Sequence, residues 1–250
     1  MFFLQLNLLY FTHYLSCWLR CLPMRFFLSF FLFLLYSIGL GQPVPEATIL
    51  SVNEGLSQGM VFDMIQSHDG YIWIATKDGL NRYDGYRFKV YSPDPFNPYS
   101  IATSEIWGLF EDSKRRIWVF YNGGIDVLVP ETGRFYHVPK NLIPGFNFGA
   151  DYLTCRVTEG RDGSIWVAEN GHLWCIKAPA DLVSTSQKEG NSSPAFDVKR
   201  ITIKNAGEKA NHITTVYNSA DKWLFIGTYD GVFRFDDDTR EFTPFAMSGR

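Results

Sequence analysis

Cysteine is sparse in this chain: there are four in 250 residues, and Cys17 and Cys21 fall in the first 41. No Cys-x-x-Cys and no paired histidines occur at the spacing zinc requires, so no metal is expected. Acidic residues are missing from residues 1–41, which hold Arg20 and Arg25, so the net charge of −3 becomes −5 over the remainder. A mildly acidic body of this kind argues against nucleic acid or an anionic membrane surface as partner. Long apolar runs are also missing. The cleanest, Phe26–Leu35, is ten residues, against about 20 for a membrane helix. No Gly-rich ATP site and no phospho-acceptor helix can be found, and most carboxylates sit at turns, so no catalytic pair stands out.

What is present begins with a leader. Met24-Arg25, the run FFLSFFLFLL and the small-residue exit Gly39-Leu40-Gly41 make a secretory signal cut before Gln42. The expected start is Met24, with residues 1–23 upstream of it. The alternative is a double hydrophobic anchor, since Phe2–Leu19 is also apolar.

With 46% hydrophobic and 17% aromatic residues the chain has ample material for a core. From Asp69 to Gly85 it reads DGYIWIATKDGLNRYDG, three Asp-Gly pairs separated by short runs of β-formers. Asp-Gly supplies the positive φ of a tight hairpin turn, and the runs are too short for helices. The pattern recurs around Trp118, Trp166 and Phe225, which follow Trp73 at spacings of 45, 48 and 59 residues. A strand precedes each copy (60–65, 105–110, 152–157, 213–217) and an aromatic strand follows it (87–91, 134–138, 196–201, 241–245). Four strands in about 45 residues are the signature of a propeller blade, and the repeated tryptophan is read as packing between blades.

The expected fold is therefore all-β: four consecutive four-stranded blades of an incomplete, open β-propeller behind a hydrophobic leader helix. The divisions are 1–41 leader, 42–54 extended lead-in, 55–100 blade 1, 101–150 blade 2, 151–211 blade 3 and 212–250 blade 4, with a polar insertion at 179–195 explaining the longest spacing. An open arc leaves two bare end faces, so the fragment is expected to associate or be poorly soluble; a closed four-bladed ring is the alternative. Cys155 and Cys175 fall on the first and third strands of one blade, about 9–10 Å apart at the usual strand spacing. That is too far for a disulfide, and none is expected.

Residues 55–91 resemble the two-component regulator propeller repeat. Gly55-Leu56-Ser57, Ile72-Trp73-Ile74-Ala75-Thr76 and Gly79-Leu80-Asn81-Arg82-Tyr83-Asp84 carry the likeness. Ile226-Gly227-Thr228 with Gly231-Val232-Phe233-Arg234-Phe235-Asp236 repeats it, whereas Tyr121 and Glu169 stand where threonine is usual. The resemblance implies the periplasmic front of a Bacteroidetes-type hybrid sensor histidine kinase that detects an oligosaccharide and signals across the inner membrane to control transcription. It also implies that the chain is truncated, with the remaining blades and kinase region, or a homodimer, as partners. On this reading the fragment is not an enzyme and needs no cofactor. The reading of another class is a secreted propeller glycoside hydrolase or lyase.

No catalytic, metal or ligand-binding residue is assigned from sequence. Ser67–Trp73 resembles the Asp-box of sialidase propellers, one residue short and with Ile for Thr, and is read as a turn device. Asp236-Asp237-Asp238 lacks the alternating ligands of a calcium loop and is read as a hairpin. His68, His137, His172 and His212 are expected to be solvated or packed, and Arg82 and Arg234 to form a repeated salt link with neighbouring acids.

Overall fold

The computed structural model describes residues 26–33, 47–149, 156–169, 171–184, 194–204, 207–219, 223–236 and 239–245. The chain divides into two units, residues 1–49 and 50–250. In the first, residues 26–33 are helical and exposed. Among the described residues no helix is long and apolar enough to cross a membrane. The expected cut before Gln42 lies outside the described residues.

Among the described residues the second unit holds sixteen strands in four antiparallel meanders, each in sequence order. Blade 1 is β1 (Val61–Gln66), β2 (Ile72–Thr76), β3 (Gly79–Tyr83) and β4 (Phe88–Tyr91). Blade 2 is β5 (Gly108–Glu111), β6 (Ile117–Tyr121), β7 (Gly124–Val129) and β8 (Arg134–His137). Blade 3 is β9 (Arg156–Glu159), β10 (Ile165–Glu169), β11 (His172–Lys177) and β12 (Asp197–Ile201). Blade 4 is β13 (Ile213–Asn218), β14 (Leu224–Thr228), β15 (Gly231–Asp236) and β16 (Glu241–Pro244). The arrangement is an open propeller, as the repeat spacing predicts.

The tight turns follow from local chemistry. Gly79 sits at φ +112°, and a Cβ there would meet the Tyr91 carbonyl oxygen at 2.9 Å, so only glycine fits without strain. The second strands are continuous apolar runs because both faces are covered. Trp73 is buried with Ile106 and Leu109 of blade 2, Trp118 with Ile165 and Val167 of blade 3, and Trp166 with Val216 and Phe235 of blade 4. Each indole thus fills the seam to the following blade, on the order of 200 Å² of buried ring surface.

The seams are also stitched at both rims. At one rim a turn or its neighbour bonds the next connection: Gly79 N to Ser104 O, Gly123 N to Phe146 O, and Ile213 N to Gly171 O. At the other, the last residue of each first strand reaches back one blade. Glu111 accepts from His68 N at 2.8 Å, Glu159 from Ser113 N at 2.7 Å, and Asn218 Nδ2 donates to Glu159 O at 2.6 Å. These stitches shorten β5 relative to the 105–110 expectation. Ile106 N donates to Thr76 O of blade 1, and the regular strand runs from Gly108, with Trp107 N bonded to Phe120 O of β6 just before it.

The departures from the threonine pattern are compensated in pairs. In blade 1, Thr76 and Asn81 bond Ser57, whose amide donates to Asn81 Oδ1 at 2.9 Å; this is the task of the Gly-Leu-Ser lead. In blade 2 the same two positions are Tyr121 and Asp126, and the hydroxyl donates to the carboxylate at 3.0 Å. In blade 3 they are Glu169 and Trp174, with the indole Nε1 donating to the carboxylate at 2.9 Å. In each case an acceptor of the pair also holds an incoming amide, that of Ser57, Ala102 or Asn147. Three chemistries therefore perform one anchoring task.

Candidate functional site

The first strands of adjacent blades lie side by side, and where they begin the chain leaves a cavity of about 230 Å³. Phe62 and Asp63 of β1, Trp107 and Gly108 at the start of β5, and Arg156 at the start of β9 line it, with Phe148 and Gly149 of the blade 2–3 connection. Three blades contribute, so the cavity exists only in the stacked arc.

Phe62 and Trp107 stack with ring centroids 3.9 Å apart and planes 29° from parallel. Gly149, at φ +101°, comes against the indole: a Cβ there would lie 2.5 Å from it. Gly149→Ala is therefore expected to cost about 1–3 kcal/mol through the left-handed backbone and to displace Trp107. Loss of the near-ultraviolet circular dichroism of the stacked pair, with a lowered melting midpoint, would report it; an unchanged spectrum would contradict this packing.

Asp63 follows a bulge in β1. Its Oδ2 accepts from Leu109 N at 2.8 Å and its Oδ1 from Met64 N at 2.8 Å. Burial raises its carboxyl pKa above the ordinary value, only partly offset by these two amides. The cavity is so lined by an aromatic pair, the half-buried Asp63 and Arg156. Among the described residues no group of three His, Cys, Asp or Glu is placed to hold a metal ion.

The side chains weighed from sequence lie elsewhere. Among the described residues Arg82 and Arg234 do not form the repeated salt link. Arg82 lies over the Tyr71 ring at 4.4 Å and Arg234 over the Trp223 ring at 4.5 Å, because equivalent aromatic residues flank both. His68 lends its amide to Glu111. His172 lies 2.8 Å from an Arg200 nitrogen, and His212 stacks on Tyr229. His137 is held by Asp126 and Pro98 O. Asp236 ends β15 as the hairpin reading requires, whereas Asp237 and Asp238 lie outside the described residues. Cys175 is buried and free; Cys155 lies outside the described residues.

Sequence reasoning missed Phe62, Asp63, Trp107 and Arg156 as one constellation. The available signal was a second aromatic, Trp107, standing at the first strand of blade 2 rather than inside the repeated Ile-Trp run.

Comparison with known proteins gives three kinds of likeness. Residues 55–78 match the family described as two component regulator propeller. A stretch of 49 residues, 20% of this chain, is 45% identical to Histidine kinase P4 of Formosa agariphila, of which it is 4%. Among solved structures, the extracellular domain of the hybrid two component system BT3049 of B. thetaiotaomicron is similar over 78% of this chain and 31% of its own, at 22% identity and TM-score 0.44. PorZ, a surface component of the type-IX secretion system of Porphyromonas gingivalis, is similar over 76% of this chain and 27% of its own, at 13% identity and TM-score 0.54. The likeness to PorZ bears on the fold alone. The chain spans less than a third of each of these proteins.

Proposed function

We propose, from the premise that this chain is built of two component regulator propeller repeats, that it is the extracytoplasmic ligand-sensing region of a hybrid two-component sensor kinase. Its ligand is an oligosaccharide, and the fragment itself performs no chemistry. Export by the leader places it in the periplasm, and the kinase that it instructs is anchored in the inner membrane. The observation that carries the reading is the three-blade cavity. A sugar ring has apolar C–H faces that suit Phe62 and Trp107, and hydroxyls that suit Asp63 and Arg156. A site shared by three blades also converts ligand contact into a change of blade spacing, which is a mechanical output of the kind a receptor needs.

Calorimetric titration with a panel of oligosaccharides tests this. One class should bind, and Trp107→Ala should weaken it at least about tenfold, or about 1.4 kcal/mol. Absence of binding across the panel, or release of new reducing ends or unsaturated products, would overturn the sensing assignment; the second result would instead support a hydrolase or lyase.

A further inference from the structure

We infer that blade 3 carries an oxyanion site at its seam with blade 4, built from His172, Arg200 and His212, which takes a carboxylate, sulfate or phosphate group. This goes beyond the sensing assignment and stands whether or not the cavity binds a sugar. Both walls of the site belong to described blades of the arc.

Aligned by register, blade 3 differs from the others at two positions. His172 faces Glu169 across the β10–β11 hairpin, where blades 1, 2 and 4 carry Gly79, Gly124 and Gly231. The hairpin therefore closes without a side chain there. Arg200 faces Trp174, where the other blades carry Val90, His137 and Pro244. The blade requires neither residue, yet the two meet: one Arg200 nitrogen lies 2.8 Å from His172 Nδ1 and 3.2 Å from its Nε2. The third member, His212, stands just before β13. Ile213 N donates to Gly171 O at 3.1 Å, and the His212 ring lies against Gly171, where a Cβ would come within 2.8 Å of it. The ring also stacks on Tyr229, with centroids 4.2 Å apart. His212 is thus pinned on the turn that carries His172.

These donors have no counter-charge of their own. Lys199 pairs with Asp197 at 3.5 Å and Lys204 with Glu241 at 2.8 Å. Arg200, between them in sequence, is exposed and makes no ion pair among the described residues. Glu169 feels the Arg200 charge, but it is buried, and its Oε1 accepts from Trp174 Nε1 at 2.9 Å and its Oε2 from Asn147 N at 3.2 Å. Arg200 is left with an imidazole whose two nitrogens face apart, so one donor cannot serve both well. Burial first, then the charges of Arg200 and His212, hold the His172 pKa below its ordinary value. An oxyanion among these groups would take the outward guanidinium donors, cancel the repulsion and draw a proton onto His172. The guanidinium fork beside the imidazoles suits the several acceptor oxygens of a carboxylate or sulfate.

Titration calorimetry of the full chain in detergent tests this, with sodium sulfate against chloride at equal ionic strength, because sulfate keeps its charge across the pH range used. Saturable sulfate binding is expected, at least about threefold tighter at pH 6 than at pH 8, because proton uptake accompanies it. Arg200→Gln, at an exposed position, should weaken binding at least about tenfold by removing a charge-assisted bond. His172→Gly installs the residue of the other three blades; it should keep the fold, weaken binding and shrink the pH response. The groups that face His172 are Glu169 of β10, Arg200 of β12 and His212 ahead of β13. A monosulfated disaccharide and its unsulfated parent identify the source of the anion. Tighter binding of the sulfated sugar than of free sulfate assigns the site to an acidic saccharide, and no tighter binding assigns it to a free small anion. No saturable sulfate binding, binding indifferent to Arg200→Gln, or an affinity that does not rise as pH falls would overturn the proposal.

Discussion

Asp112→Ala is expected to lower the unfolding free energy by about 3–5 kcal/mol, because it strands a buried cation. Asp112 is fully buried in the turn between β5 and β6 and is a hub for blade 2. Its Oδ1 accepts from Lys114 N and Arg116 N, each at 3.0 Å. Its Oδ2 accepts from Arg116 Nε at 2.6 Å and Trp118 Nε1 at 2.8 Å. Arg116 is itself buried and donates through Nη1 to Pro179 O in the connection after β11, so the hub also ties blade 2 to blade 3. Removing the carboxylate leaves the guanidinium, the indole N–H and two amides without their acceptor. Asp112→Asn keeps an acceptor oxygen but no charge, and should fall between alanine and wild type. Urea unfolding followed by circular dichroism measures both. A loss under about 1 kcal/mol for alanine, the range of an exposed pair, would show that the pair is not buried in solution.

The second large effect is at Asp126, whose replacement by alanine should cost on the order of 2–4 kcal/mol by leaving several buried donors unmatched. Asp126 is fully buried and takes three of them: Tyr121 OH at 3.0 Å, His137 Nδ1 at 2.7 Å and Ala102 N at 2.8 Å. His137 Nε2 faces Pro98 O at 3.1 Å, so both ring nitrogens meet acceptors and the imidazolium is the form that satisfies them. Burial alone would push the His137 pKa down, but the hydrogen bond and charge of Asp126, with the Pro98 carbonyl, more than reverse it, and the pKa is raised. Burial, the Asp126 charge and its hydrogen bond push the Tyr121 hydroxyl the same way, so it stays a donor.

The sign of the pH dependence follows from linkage. A raised folded-state pKa contributes stability that is fully present below the unfolded value of about 6.5 and is lost as pH rises through the folded value. The stability gap between wild type and His137→Gln should therefore be widest near pH 6 and close toward alkaline pH, other titrating groups cancelling between the two proteins. A gap that widens with rising pH would refute the imidazolium. The pin matters for the cavity because it clamps the connection carrying Pro98 and Ala102, which leads directly to Trp107.

Much of this architecture is legible without coordinates, for local reasons. Asp-Gly pairs dictate turns, short runs of Ile, Trp, Val and Phe dictate strands, and their recurrence dictates blades. The polar replacements in copies two and three were less legible. Tyr121 and Glu169 look like decay of the pattern until each is seen bonded to the residue that replaces Asn81 in its own hairpin, Asp126 or Trp174. Arg82 and Arg234 misled for a related reason: charge suggests a salt link, but the neighbouring aromatics at 71 and 223 were closer at hand.

The sheets and their order are written into neighbouring residues, because hairpin chemistry and strand propensity act over a few positions. Which side chains converge depends instead on how the blades stack. Phe62, Trp107 and Arg156 are roughly 45–50 residues apart along the chain, and they share one cavity because three blades stack with their first strands together. Nothing local to any of them encodes that meeting; it arises from the packing of buried tryptophans against the next sheet, which sets where each blade stands.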